Sequence, residues 1–297
     1  MCGIAGVMFS DGAEAPVGQY LYEMLKSLQH RGMDSAGVIT YNQKNSEYWK
    51  VRVVSPSEPD VALNKIKYRL NVKDSKVIKL NDGNYMLDLK ISKEHDVNEI
   101  RQTIKKLGLH LLSLGIQSLI SKDVGLVDDV NRVFNFSKEV GSHGIGHVRF
   151  STESAVDALH AHPFQNPEFP DIAIVHNGQI TNYWKMRELL ELEGHEFQTD
   201  NDSELIIHYI VNKLRKGYGL EEALRMAVKD LDGPFAFLIS MPEGIGMARD
   251  RLGLRPLVIS ESPSVKVAAS EEVAIRKVIP EGKIYYMRPG EVRVWMK

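Results

Sequence analysis

The first apolar run, Cys2–Phe9, is short, uncharged and rich in small residues, which predicts a strand buried on both faces. Pro16–Gln29 carries Leu21, Met24, Leu25 and Leu28 at helical spacing, and His30-Arg31-Gly32 ends that helix. Ala36–Thr40 reads as a second strand. The turn-rich segment Ser55-Pro56-Ser57-Glu58-Pro59 marks a break. From about 55 to about 140 the pattern predicts an inserted small α/β subdomain. It has strands at Lys76–Leu80 and Tyr85–Ile91, then a helix from Val97 with Ile100, Ile104, Leu107 and Leu111 on one face.

Beyond the insert, Gly141–Ser151 reads as a glycine-rich strand. Asp171–Val175 is an apolar strand running into the turn signal His176-Asn177-Gly178. Asn182–Leu192 predicts a helix. Asp202 or Ser203 caps the next one, which carries Leu205, Ile206, Tyr209, Ile210 and Leu214 on one side. Leu220–Leu231 repeats the helical pattern. Short β-type runs follow at Phe235–Ser240, Gly246–Arg249, Pro256–Ser260, Lys266–Ala269, Lys283–Met287 and Glu291–Trp295. Many strands with a few amphipathic helices predict packed sheets covered by helices, an α+β fold.

Composition narrows the function classes. The chain has 297 residues, 43% hydrophobic and 26% charged, enough for a sizeable core. A formal net charge of −2 gives no reason to expect nucleic acid or a membrane surface as partner. No stretch is long and apolar enough for a membrane span, and the N-terminal run lacks the basic start of a secretory signal. One cysteine and no export signal predict a cytoplasmic protein. No metal site is expected: one cysteine excludes an all-cysteine site, and His160 and His162, read at alternate positions of a strand, are too few.

The single cysteine stands at position two. Its small side chain permits removal of Met1, after which Cys2 carries a thiol and a free α-amine on one residue. The amine, with pKa about 7.7–8.0, can accept the proton of a thiol near 8.5. With Met1 retained that nitrogen is an amide, and the same chemistry predicts an inactive species. Cleavage of a side-chain amide also needs donors to an oxyanion. The Asn177 side chain and the Gly178 backbone N–H can converge on one point, although an isolated Asn-Gly fits a hairpin turn as well. Arg149 can clamp an α-carboxylate with two parallel N–H bonds or form a structural ion pair. Asp202 can accept from an α-ammonium group or cap its helix. Ser151 and Thr152 can add hydrogen bonds.

Several motifs occur in order. They are Met1-Cys2-Gly3-Ile4-Ala5-Gly6, His30-Arg31-Gly32-Met33-Asp34-Ser35-Ala36-Gly37, Gly146-His147-Val148-Arg149-Phe150-Ser151-Thr152, Ala161-His162-Pro163-Phe164, His176-Asn177-Gly178 and Asp202-Ser203-Glu204. Ala248 to Leu257, containing Asp250-Arg251-Leu252-Gly253-Leu254-Arg255-Pro256, and Ala269-Ser270-Glu271-Glu272 follow. Together the set resembles a class II glutamine amidotransferase domain, an N-terminal-nucleophile hydrolase, over 2–297 outside the insert. The resemblance implies a four-layer αββα sandwich of two antiparallel sheets. It implies Cys2 as nucleophile with its own amine as base, Asn177 and Gly178 as oxyanion hole, Arg149 on the glutamine α-carboxylate and Asp202 on the α-amino group. Arg31 would belong to a loop closing over glutamine, hinged at Gly32 and Gly37. Thr152 matches a substrate-touching position, and His162 lies near the site without an assigned role. The Asp250–Pro256 run is expected to buttress the fold.

The resemblance also bears on the ammonia acceptor. No synthase segment follows the glutaminase motifs, so the acceptor half is expected on a separate synthase subunit. The set is most similar to the stand-alone amidotransferase subunit of split prokaryotic glutamate synthases. That implies L-glutamine as substrate, ammonia passed to 2-oxoglutarate, and FMN and iron–sulfur centres on the partner, with no cofactor on this chain. His30–Gly37 looks more like the phosphoribosyl and sugar-phosphate amidotransferases, which is the alternative. A non-catalytic glutamine-sensing scaffold is a second alternative.

Overall fold

The computed structural model describes residues 2–10, 15–42, 46–56, 58–151 and 155–297. In chain order they begin with β1 (Gly3–Phe9), α1 (Val17–Ser27), β2 (Ser35–Tyr41), β3 (Tyr48–Ser55), α2 (Pro59–Arg69) and β4 (Val72–Lys79). There follow β5 (Tyr85–Ser92), α3 (Val97–Lys106), β6 (His110–Gly115), β7 (Ser118–Val124), α4 (Val127–Phe134) and β8 (His143–Arg149). Next are β9 (Phe164–Gln165), β10 (Ala173–Gly178), α5 (Tyr183–Leu192), α6 (Asp202–Arg215) and α7 (Leu220–Asp230). The last elements are β11 (Phe235–Met241), β12 (Gly244–Arg249), β13 (Val258–Glu261), β14 (Val265–Ala269), α8 (Glu272–Val278), β15 (Tyr285–Tyr286) and β16 (Val292–Met296).

The strands form three antiparallel sheets. Seven run in the order β15-β13-β14-β1-β8-β2-β7, five in the order β16-β12-β11-β10-β9, and four in the order β4-β5-β3-β6. The two larger sheets face each other, and the period-2 alternation of their strands assigns each side chain to a layer. In β1, Ile4 and Met8 point into the core between the sheets, where they join Val175, Leu238 and Met247. Ala5 and Val7, one residue out of phase, pack instead with Leu21, Leu25 and Ile275 of α1 and α8. In β11 the split is the same: Ala236 and Leu238 face the other sheet, while Phe237 and Ile239 lie under Leu205 and Leu224 of α6 and α7. Helices therefore cover both outer faces, giving the αββα sandwich. No helix among the described residues is long and apolar enough to cross a membrane.

The four-stranded sheet has its own core, in which Val51, Val53, Leu87 and Leu89 meet Ile66 of α2 and Ile100 and Ile104 of α3. Its strands span residues 48–115, starting before the Ser55–Pro59 break. Ser118–Val124, inside the 55–140 stretch, pairs with β2 as the edge of the seven-stranded sheet.

Four local expectations change. Asn177-Gly178 is not a hairpin turn but the end of β10, with Asn177 opposite Ala236 and Gly178 opposite Phe235. His160 and His162 lie in turns and bends rather than a strand. The cap of α6 is Asn201, whose Oδ1 accepts from the Ser203 N–H at 2.9 Å, so Asp202 is the first helical residue. Gly32 and Gly37 serve close approach. A Cβ at Gly32 would stand 2.5 Å from the Arg149 carbonyl carbon, and one at Gly37 2.2 Å from the His162 carbonyl oxygen.

Candidate active site

β1 is central in its sheet, and its first residue, Gly3, lies opposite Val148 of β8. Cys2 just before β1 and Arg149 at the end of β8 are thereby brought side by side at one end of the sandwich. Both line a cleft of about 650 Å³, together with His162, His176, Gly178 and Asp202. The facing wall carries Gln179, Thr181, Tyr183 and Trp184. Residues far apart in the chain thus converge because β1, β8 and β10 all present the same end.

The Cys2 sulfur is within 3.6 Å of the Phe150 carbonyl oxygen and receives the Phe150 N–H at 3.4 Å. Burial pushes the thiol above its ordinary value, against the lowering effect of the Phe150 bond. The sulfur therefore rests as a thiol at neutral pH and needs a base before it can attack. Among the described residues no histidine is hydrogen-bonded to it, which removes the geometric requirement of a cysteine–histidine pair.

Arg149 is buried, and its Nη1 donates to the Ala155 carbonyl oxygen at 2.7 Å. The backbone around it is fixed: Asp34 N–H donates to the Arg149 carbonyl at 3.0 Å, and the Asp34 carboxylate accepts from Ser151 N–H at 2.6 Å. Asp202 accepts the Ile180 N–H at 2.9 Å on Oδ2. Burial works to raise its pKa, but the nearby His176 and the hydrogen bonds it accepts outweigh this and hold it below the usual range. A half-buried anion and a buried cation facing one cleft match the two charged ends of a free amino acid.

Asn177 sits between two lining residues, is 2% exposed, and its Nδ2 meets no acceptor among the described residues. A buried amide donor without a partner is costly, and such groups mark places where a ligand atom completes the site. His162 lines the cleft floor, with Nε2 2.7 Å from Ser203 Oγ. Arg31 does not line the cleft. It is 9% exposed in a short 3₁₀ turn, behind Cys2, and bonds the Cys2 carbonyl. Thr152 and Met1 lie outside the described residues.

Sequence reasoning missed His176, Ser203, Tyr183, Trp184 and Arg255 as cleft residues. Ser203 and His176 sat inside the quoted motifs, one beside Asp202 and the other beside Asn177, so adjacency was the available signal. Asp250 buttresses the fold as expected, its carboxylate accepting the N–H groups of Phe235, Leu252, Leu254 and Arg255. Among the described residues no group of three or more His, Cys, Asp or Glu is arranged to hold a metal.

The sequence and the fold also resemble known proteins. Residues 147–277 match the family model described as a glutamine amidotransferase domain. A protein of Methanothermobacter thermautotrophicus, described as "Putative glutamine amidotransferase", is 42% identical, with 99% of each chain covered. The glutamine amidotransferase-like protein GlxB of Rhizobium meliloti is 33% identical over 99% of this chain and 98% of its own. Among solved structures, the glutamine phosphoribosylpyrophosphate amidotransferase of B. subtilis superposes with a TM-score of 0.64 at 24% identity, covering 99% of this chain and 47% of that one. With whole-length relatives of this kind and the fold of the N-terminal-nucleophile hydrolases, the chain belongs to the glutamine amidotransferase family.

Proposed function

We propose that this chain is the glutaminase subunit of an amidotransferase, cleaving L-glutamine through a Cys2 thioester. Once Met1 is removed, the α-amine of Cys2 takes the thiol proton and the sulfur attacks the side-chain amide carbon. The carbonyl oxygen becomes an oxyanion held by Asn177 Nδ2 and the Gly178 N–H. As the C–N bond breaks, the ammonium formed on Cys2 gives its proton to the departing nitrogen, which leaves as ammonia. Water, deprotonated by the same amine, then hydrolyses the thioester to glutamate. Arg149 holds the α-carboxylate and Asp202 the α-ammonium, so the amide is delivered in one orientation. The observation that carries this reading is the unpartnered Asn177 donor beside a cleft that also holds Cys2, Arg149 and Asp202.

For the acceptor we infer 2-oxoglutarate on a separate glutamate synthase subunit that carries FMN and iron–sulfur centres. The likeness of Asp250–Pro256 and Arg149–Thr152 to that family supports it, and the exposed Phe150 and Trp184 in the cleft lining offer a separate subunit an apolar surface. A phosphoribosyl or sugar-phosphate acceptor is the second reading. It draws on the His30–Gly37 motif and on the likeness to the B. subtilis enzyme, of which this chain matches 47%.

The test is glutamate release from L-glutamine, with the N-terminus of the protein confirmed by mass and Cys2→Ala beside it. Release that vanishes in Cys2→Ala supports the thioester. A chain with a free Cys2 terminus that binds glutamine without turnover, alone and with synthase partner present, would make it a sensing scaffold.

A further inference from the structure

The lining of the cleft holds a polar cluster of which the chemistry above uses only Asp202. Ser203 Oγ has three neighbours: His162 Nε2 at 2.7 Å, His176 Nδ1 at 3.0 Å and Asp202 Oδ1 at 3.4 Å. A hydroxyl has one proton to donate and two lone pairs. Asp202, held ionised, only accepts. All three contacts are met in one way: Ser203 donates to Asp202, while His162 Nε2–H and His176 Nδ1–H donate to Ser203. The unpartnered His162 Nδ1 is then a bare acceptor rather than a stranded N–H group.

His162 is held from three sides. Its ring stacks on His147 at 3.9 Å and meets Phe164 edge-on at 4.9 Å. The turn that bears it is clasped by Lys122, whose Nζ donates to the carbonyls of Leu159, Ala161 and Pro163 at 2.7–3.3 Å. His147 Nε2–H donates to the His176 carbonyl at 2.9 Å, fixing the strand that carries Asn177. Burial holds His147 and His162 far below the usual imidazole value, so both are neutral and keep these tautomers.

We propose that Ser203 and His162 are positioning residues for the recognition of the substrate's α-ammonium, orienting the Asp202 carboxylate from beneath through one hydroxyl. The proposal rests on the reading of Asp202 as the ammonium-binding carboxylate. With Ser203 removed, Asp202 loses the hydroxyl on Oδ1 and keeps the Ile180 N–H on Oδ2 and the His176 Nδ1 contact at 3.4 Å, and His176 itself loses the oxygen that orients its ring. An ammonium bound alike in the ground and transition states contributes uniform binding, so its loss raises KM and spares kcat.

The experiment compares L-glutamine with glutaramate, the same amide without the α-amino group, on the mature protein carrying Ser203→Ala, His162→Gln or His162→Phe. Asp202→Asn sets the scale. For Ser203→Ala we expect KM for glutamine to rise about tenfold, about 1.4 kcal/mol, with kcat within twofold and kcat/KM for glutaramate little changed. His162→Gln, which keeps an N–H donor, should fall between wild type and His162→Phe. Equal losses on both substrates would mean a generally loosened fold and would overturn the proposal. So would an unchanged glutamine KM in Ser203→Ala when Asp202→Asn raises it. If Asp202→Asn itself leaves discrimination between the two substrates intact, the Asp202 reading fails, and the positioning role falls with it.

Discussion

Arg31 Nε donates to the backbone carbonyl oxygen of Cys2 at 2.8 Å, and the same guanidinium pairs with Glu271 through Nη1. Glu271 also meets His30 Nε2 at 3.0 Å, and next to it Ser270 Oγ accepts the Ile4 N–H at 3.0 Å. The start of β1 is thus clamped from behind by residues at positions 30–31 and 270–271. The sulfur stands at the free end of this segment, so its position depends on how well that backbone is held.

Arg31→Lys tests this clamp. A lysine presents a point charge and cannot hold a carbonyl and a carboxylate in one planar fork. We expect kcat for glutamine hydrolysis to fall about tenfold, about 1.4 kcal/mol in the barrier, with KM little changed. Steady-state kinetics on the mature protein decide it. A raised KM with kcat retained would instead place Arg31 in a loop that closes on glutamine.

Asp171 makes a second long-range tie. Its buried carboxylate accepts the N–H groups of Ile116, Gln117 and Ser118 and the Ser118 hydroxyl at 2.7–3.1 Å, and its carbonyl accepts the Tyr41 hydroxyl at 2.9 Å. It holds the turn where the chain leaves the four-stranded sheet and enters the seven-stranded one. Asp171→Ala strands several buried donors at once, so urea unfolding should show a loss of about 3–5 kcal/mol. Asp171→Asn keeps an acceptor oxygen and tolerates the left-handed backbone there, φ +64°, so it should lose less. Equal stability of the two variants would remove Asp171 as the tie.

These two ties show where the sequence stops being readable. Local alternation and helical spacing were enough for β1, α1, β11 and α7, because each element's burial is decided by its own period. The order of motifs was enough for the cleft, since Cys2, Arg149, Gly178 and Asp202 line it together. Ser118–Val124 was hidden within an apolar stretch whose turn, Ile116-Gln117, has no glycine, proline or asparagine. The acceptors that stabilise this turn come from Asp171, more than fifty positions away. Arg31 looked like a loop residue because its partners, Cys2 and Glu271, lie 29 and 240 positions away. The Asn201 cap was missed for a different reason: three neighbouring residues were all good cap formers, and only the direction of Asp202 toward Ile180 separates them.

The buried histidines fix a pH dependence whose sign follows from linkage. Burial lowers His143 and His147 to about 3, and His162 is also held well below the imidazole value. In the unfolded chain all three protonate near 6.5. Between about pH 3 and 6.5 the unfolded state therefore binds more protons, and stability falls as pH falls through that window. Asp123 works the other way. Burial raises it to about 6, so the folded state binds its proton between about pH 4 and 6, and Glu139 is pushed in the same direction. His195 is lowered by burial as well, so three or four protons favour the unfolded state against one or two favouring the folded one, a net of one to three. The expected slope near pH 5 is about 1.4–4 kcal/mol per pH unit. Urea midpoints at pH 4, 5, 6 and 7 measure it. Asp123→Asn should steepen the slope by removing an opposing proton. His143→Gln, whose amide can still donate to the Met241 carbonyl that His143 Nε2 reaches at 2.8 Å, should flatten it by about one proton. A profile that stays flat from pH 4 to 6 even in Asp123→Asn would show that these imidazoles become charged inside the folded protein. The neutral tautomers assigned beneath Asp202 would then fail with them.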